Sequence, residues 1–296
     1  MHSAVTNTEI KKEALTVYPI SYLFTSALSV NKCLKSQEVH ADVCVIDWED
    51  SVFKHLKDKA RNDSLKFWDE KPAFKTAVRV NSLRTEFGFK DILCLAEMPF
   101  KPEIIFLSKI KQAEEINIIK DMIISYETKS KFLPKIFPLI ETSSAFLNLR
   151  DIASLSDGLL FGAADYAAEI GVEMTFQALL YARNLMVAAA ANFNIPCIDT
   201  TSFNIKDMNI VREECRRSKQ LGFTGMAAIH PRQIAIINEV FKPTEQEIER
   251  AKYIINKYES MDQFNIIDGN VIGPPFVARA KKILKQANKH QTNDFY

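Results

Sequence analysis

Glycine is scarce, 8 residues in 296, and no G-x-G-x-x-G run follows the first apolar segment, where a dinucleotide-binding fold would place one. Close backbone approach to a large cofactor is therefore not advertised. An excess of either charge is also missing. The 38 Lys and Arg face 37 Asp and Glu, a formal net charge of +1, which removes the bulk electrostatic case for a nucleic acid or an anionic membrane as partner. No uninterrupted apolar stretch approaches the roughly 18 residues that span a bilayer. The opening MHSAVTNTEIKKEALT lacks the basic and apolar regions of a secretory signal. No C-x-x-C pair occurs, and Cys33, Cys44, Cys94, Cys197 and Cys215 are widely spaced and odd in number. They read as core thiols in a reducing compartment instead of a zinc site or a disulfide framework. A cytoplasmic protein with a small-molecule partner is the expectation left.

What is present is an ordinary globular composition, 47% hydrophobic and 25% charged, with enough apolar residues for a large core. Eight short apolar runs recur: ISYLFT (20–25), VCVIDWE (43–49), TAVRVN (76–81), EIIFLSK (103–109), IFPLIE (136–141), GLLFGA (158–163), PCIDT (196–200) and MAAIH (226–230). Each is nearly continuous instead of alternating, as parallel strands covered by helices are. Their intervals leave room for one helix and two loops per unit. The spacing predicts a TIM-type (β/α)8 barrel over residues 1–259, with a doubly wound open sheet as the alternative. PTEQEIERAKYIINKYE (243–259) carries helix-start chemistry and core-facing Ile248, Ala251, Ile254 and Ile255. Residues 260–275 read as an irregular excursion before a last helix from Phe276, so that 260–296 forms a short C-terminal extension.

In a TIM barrel, active sites are built at the C-terminal ends of several strands at once. The polar residues there are Asp47, Glu49, Arg79, Asn81, Lys109, Glu141, Asp165, Asp199 and His230. Glu141 and Asp165 are oxygen donors of the kind that holds Mg2+, which takes one or two carboxylates together with waters and substrate oxygens. Asp165 could equally cap a helix. Arg79, inside a strand, needs a partner, either a substrate carboxylate or the acids Asp47 and Glu49. Lys109 could snorkel to solvent, His230 reads as a hydrogen-bonded structural residue, and His55 as a solvated one.

Ordered stretches across about residues 20–285 carry a resemblance: YLFTSA, ADVCVIDWEDSVFKHLKDKAR, VRVNSLRTEFGFKDI, PLIETSSAFLNLRDIA, FGAADYAAEIG, GFTGMAAIHPRQI and DGNVIGPPFVARAKKIL among them. The chain resembles the citrate lyase beta-subunit-like branch of the HpcH/HpaI aldolase superfamily, which includes malyl-CoA and citramalyl-CoA lyases. The resemblance implies a TIM barrel that forms trimers or hexamers, with its C-terminal extension on a neighbouring subunit. It also implies Mg2+ held by Glu141 and Asp165. Arg79, Glu49 and Asp47 would be catalytic, and Arg79, Lys109 and Asp50 would meet substrate. The sequence departs from the family pattern in four places. Gly273 stands where an Asp is delivered to a neighbouring site, and Asp268 is displaced from that position by five residues. The first-strand motif loses its Arg, Pro and Gly; Met226 replaces a Lys; and Ser108 replaces a Pro. The first-strand loss and Met226 fall where the family approaches the thioester-bearing part of its substrate.

The reading that follows is a Mg2+-dependent carbon–carbon lyase or aldolase acting through an enolate on a hydroxy acid or its thioester. Two alternatives stay open: an aldolase on a free keto or hydroxy acid without CoA, and a barrel that binds ligand without turnover.

Overall fold

A computed structural model describes residues 18–29, 31–126, 132–259, 265–267 and 270–293. Eight parallel strands, β1 (Ser21–Ser26), β2 (Val43–Asp47), β3 (Thr76–Val80), β4 (Ile104–Leu107), β5 (Lys135–Ile140), β6 (Leu159–Phe161), β7 (Cys197–Asp199) and β8 (Gly225–Ala228), close in sequence order, β8 pairing back to β1. Helices link successive strands, because a parallel pair needs a crossover. The eight apolar runs thus become the eight barrel strands, displaced at their ends by a residue or two.

Side chains alternate between two cores, as the two-residue period of a strand requires. Tyr22, Val43, Val45, Ala77, Ile104, Phe106, Phe137, Leu139, Leu160, Ile198 and Ala227 fill the barrel. There Phe106 meets Tyr22 and Phe137 edge-on, at centroid distances of 6.0 and 5.6 Å. The alternate positions, among them Cys44, Ile46, Val78, Ile105, Ile140, Phe161, Cys197 and Met226, pack under the helices. Continuing the inward series past the apolar layers puts Asp47, Arg79 and Glu141 at the mouth, so the strand period itself aims them at the barrel axis.

The chain divides into two compact units between Phe241 and Lys242. The helix Glu245–Glu259 therefore groups with the C-terminal segment, one helix earlier than the boundary at 259 drawn from the sequence. In that unit it packs against the helix Pro274–Asn293. The stretch read as irregular contains an antiparallel pair, β9 (Asn265–Ile267) and β10 (Asn270–Ile272). Gly273 is buried, and its carbonyl accepts the N–H groups of Phe276 and Val277. Asp268 lies outside the described residues. Among the described residues, no helix is long and apolar enough to cross a membrane, and none of the five cysteines is in a disulfide.

Candidate active site

β2 ends on Asp47, directly in register with Arg79 of β3. The Arg79 fork is closed on that carboxylate: Nε donates to Oδ1 at 2.8 Å and Nη2 to Oδ2 at 2.6 Å. Asp47 also accepts the backbone N–H groups of Glu49 and Ser51 at 2.9 and 3.1 Å, and so starts the turn that follows. Only the Nη1 edge of Arg79 faces outward, 3.3 Å from Glu49 Oε2 and 3.4 Å from Asp50 Oδ2. Of the two partners the sequence left open for this guanidinium, the structure provides the acids. Arg79 is therefore a fixed positive charge with one usable edge. Its guanidinium lies 5.3 Å over the Phe24 ring, a cation–π contact that supports the plane from below.

Lys109 follows β4 with left-handed backbone, φ 55°. Its two ends meet the acid pair: the backbone N–H donates to Glu141 Oε1 at 2.5 Å, and Nζ lies 2.5 Å from Asp165 Oδ1 and 3.9 Å from Glu49 Oε1. Glu141 is 2% exposed. Asp165 sits in the first turn of the helix Ala163–Ile170, where the dipole favours a carboxylate, but the cap position is Gly162. Asp165 is thus free of the capping role and turned to the mouth, with a side chain 39% exposed.

Gly162 is what lets this pair form. A Cβ there would stand 2.3 Å from Glu141 Cβ and 2.5 Å from Oε2. Gly162→Ala is expected to displace the Glu141 carboxylate, weaken divalent-cation binding at least tenfold, and destabilise the fold by about 1–3 kcal/mol through overpacking. Calorimetric titration with Mg2+ and thermal unfolding of the same variant check both effects.

The electrostatics of the mouth follow from burial. Burial would raise Asp47, but the charge and fork of Arg79 outweigh it and hold the carboxyl below its ordinary range. Burial pushes Glu49 up to about 8, partly offset by Arg79. Burial and then the charge of Asp165 push Glu141 up to about 7, against the Lys109 N–H. Arg79 and Lys109 are both held above their usual values despite burial, by Asp47 and Asp165 respectively. Asp47, Glu49, Asp50, Glu141 and Asp165 thus share two cationic side chains, and the raised Glu49 and Glu141 are the acids that a further positive charge would ionise. Among the described residues, no group of three or more His, Cys, Asp or Glu could hold a metal. The donor set is two carboxylates, buried Glu141 and half-exposed Asp165, each with one oxygen engaged by Lys109, and so few protein donors suit a hard divalent cation that keeps several waters.

Three residues of the expected constellation belong elsewhere. Asp199 falls on the helix-facing side of β7, where Arg183 Nε donates to it at 3.2 Å and Ser218 Oγ also donates. Asn81 turns behind the β2 loop, its amide donating to Trp48 O at 3.0 Å and Asp91 Oδ2 at 2.7 Å. His230 precedes the helix Pro231–Phe241, its Nδ1 accepting the Arg232 N–H at 3.2 Å. His55 is exposed and stacked on Phe53. Met226 is likewise buried under the helices, 3.5 Å from Cys215 Sγ and in register with Asp199. It is not at the mouth, so its departure from the family pattern does not bear on substrate there. Gly162, Phe24 and Lys57 were not singled out from sequence, although all three lie within the matching stretches.

The model of the HpcH/HpaI aldolase/citrate lyase family matches residues 21–231, and that of a C–C bond lyase of the TIM-barrel fold matches residues 181–291. The chain belongs to the HpcH/HpaI aldolase/citrate lyase family. Within it, the citrate lyase subunit beta of Leuconostoc mesenteroides subsp. cremoris is 30% identical over 269 residues, covering 86% of this chain and 88% of that one. The mitochondrial citramalyl-CoA lyase of Homo sapiens is 27% identical, covering 90% and 84%. The solved structure of protein CitE from Mycobacterium tuberculosis, in complex with magnesium, acetoacetate and coenzyme A, shares the fold. Its TM-score is 0.79 at 23% identity, over 92% of this chain and 99% of that one. The family and the barrel are thus those the sequence motifs imply.

Proposed function

We propose that this enzyme is a Mg2+-dependent carbon–carbon lyase that cleaves or forms a hydroxyacyl thioester or hydroxy acid through an enolate. The observation that carries the reading is the Glu141–Asp165 carboxylate pair beside Arg79 in one barrel mouth. Relatives named citrate lyase subunit beta and citramalyl-CoA lyase support the reaction class, and the magnesium of the CitE complex supports the cation. Glu141 and Asp165 would hold Mg2+, which when bound supplies positive charge toward an oxygen that becomes negative in the reaction. Arg79 offers its outward Nη1 edge, which Glu49 and Asp50 flank, to the same developing charge. Asp47 fixes the guanidinium, Glu49 and Asp50 flank its outward edge, Lys109 meets the carboxylate end of the substrate, and Asp50 accepts from a substrate hydroxyl.

Our reading includes a trimer or hexamer with residues 260–296 on a neighbouring subunit, and a reducing, cytoplasmic setting for the five cysteines, none in a disulfide. Gly273 favours one second reading, a barrel that binds metal and ligand without turnover, since no acid stands at that position. The test is calorimetric titration with Mg2+, joined to mass spectrometry of products from hydroxyacyl-CoA thioesters and free hydroxy acids. Release of an acyl-CoA or a keto acid is the expected result, and the substrate that reacts separates thioester from free acid. Mg2+ binding with every compound returned unchanged would overturn the lyase reading in favour of the binding barrel.

A further inference from the structure

The turn after β2 is bonded on two sides. Toward the mouth, its N–H groups close on Asp47 and on Glu49 Oε2, which accepts the Asp50 N–H at 3.1 Å. On the reverse side, the carbonyls of Trp48 and Glu49 both accept from Lys57 Nζ, at 3.0 and 2.6 Å. Trp48 O is shared with the Asn81 amide, and Asn81 is fixed by Asp91, which Arg61 pairs at 2.6 Å. The Trp48 indole N–H donates to Ser64 Oγ at 2.8 Å.

Lys57 is also badly placed for its own helix. It is the first residue of the helix Lys57–Leu65, where a positive charge opposes the macrodipole. Burial draws its ammonium below the ordinary lysine range, partly offset by Glu49. A lysine that burdens its helix and is desolvated is explained by what it grips. A single flexible ammonium with three donors can satisfy two adjacent carbonyls at once.

We propose that Lys57 is a positioning residue of the site: by gripping the Trp48 and Glu49 carbonyls from behind, it fixes the direction in which Glu49 and Asp50 meet Arg79. The grip is a statement about the loop. Its consequence for turnover rests on the lyase reading, and the experiment separates the two.

Hydrogen–deuterium exchange of the full chain is compared for the native protein, Lys57→Met, which keeps the apolar stem, and Lys57→Arg, which keeps the charge. Amides of residues 49–52 are expected to exchange at least tenfold faster in Lys57→Met, with peptides around 104–110 and 136–142 unchanged and Lys57→Arg nearer the native protein. Equal loop exchange in Lys57→Met and the native protein overturns the proposal, whatever the enzyme turns over. Where the native protein turns over a substrate, kcat of Lys57→Met is expected to fall about ten- to a hundredfold, the scale of a small misplacement of reacting groups. KM should change much less. Lys57→Ala is expected to regain part of kcat with added n-propylammonium but not with tetramethylammonium at the same ionic strength, which a merely structural role would not produce. A loosened loop with native kcat overturns the positioning role. Absence of turnover in the native protein counts against the lyase reading alone, because the exchange result still decides the grip.

Discussion

Glu141→Gln is expected to abolish Mg2+ binding and lower turnover at least about a hundredfold, the scale on which one electrostatic stabiliser is lost, while making the metal-free protein more stable. The second half of this result follows from burial. Glu141 is raised to about 7 against an ordinary carboxylate, so ionising it near neutrality works against the fold. With a folded value above the unfolded one, its stabilising contribution is complete below the unfolded value, about 4.3, and is lost as pH rises toward 7. The full shift corresponds to roughly 3–4 kcal/mol, as an upper bound. Thermal unfolding in a chelator should therefore show the native protein losing stability between pH 5 and 8, and Glu141→Gln losing less. Added Mg2+ should raise the native midpoint most at the alkaline end, since the ionised pair is the form that binds. A variant less stable than the native protein at pH 8 in chelator would contradict the argument.

Arg79→Ala should have the largest effect on the fold. Asp47 is 2% exposed, and removing the guanidinium leaves it buried without its cation, while Glu49 keeps only Lys109 at 3.9 Å. Breaking such a pair costs about 3–5 kcal/mol, and at the roughly 2–4 °C per kcal/mol of a chain this size, the midpoint falls on the order of 10 °C. The deficit should shrink on acidification. In the native protein Asp47 is held low, so its contribution persists above the unfolded value and is lost only in strong acid. Without Arg79, burial governs and the same carboxyl is stabilising only when protonated. Arg79→Lys should recover the charge but less than half of the stability, because an ammonium cannot close the two-bond fork on Asp47. Midpoints of the three proteins at pH 5 and 8, with turnover at both, check this. Equal deficits at the two pH values would count against it.

The barrel was legible because its strands are continuous apolar runs at crossover spacing, a signal that tertiary context rarely reverses. The mouth was legible only in part. Asp47, Arg79 and Glu141 lie at strand ends whose inward series can be counted, whereas PCIDT is apolar on both faces and hides that Asp199 faces the helices. Met226 was misplaced for the same reason. EIIFLSK gave no warning that its last two residues leave the strand, or that Lys109 turns left-handed there. Lys57 was hidden for another reason: its partners are backbone carbonyls, which carry no residue signature. The hairpin β9–β10 was missed because each strand is three residues long, too short for alternation to show.

The left-handed backbone of Lys109 sets stability and chemistry against each other at a single codon. Glycine or asparagine would relieve about 1 kcal/mol of backbone strain at φ 55°, yet either would withdraw the ammonium that reaches Asp165 and Glu49. A saturation library at position 109 selected for heat resistance should therefore enrich glycine and asparagine. The same library selected for growth that depends on the enzyme's reaction should return lysine.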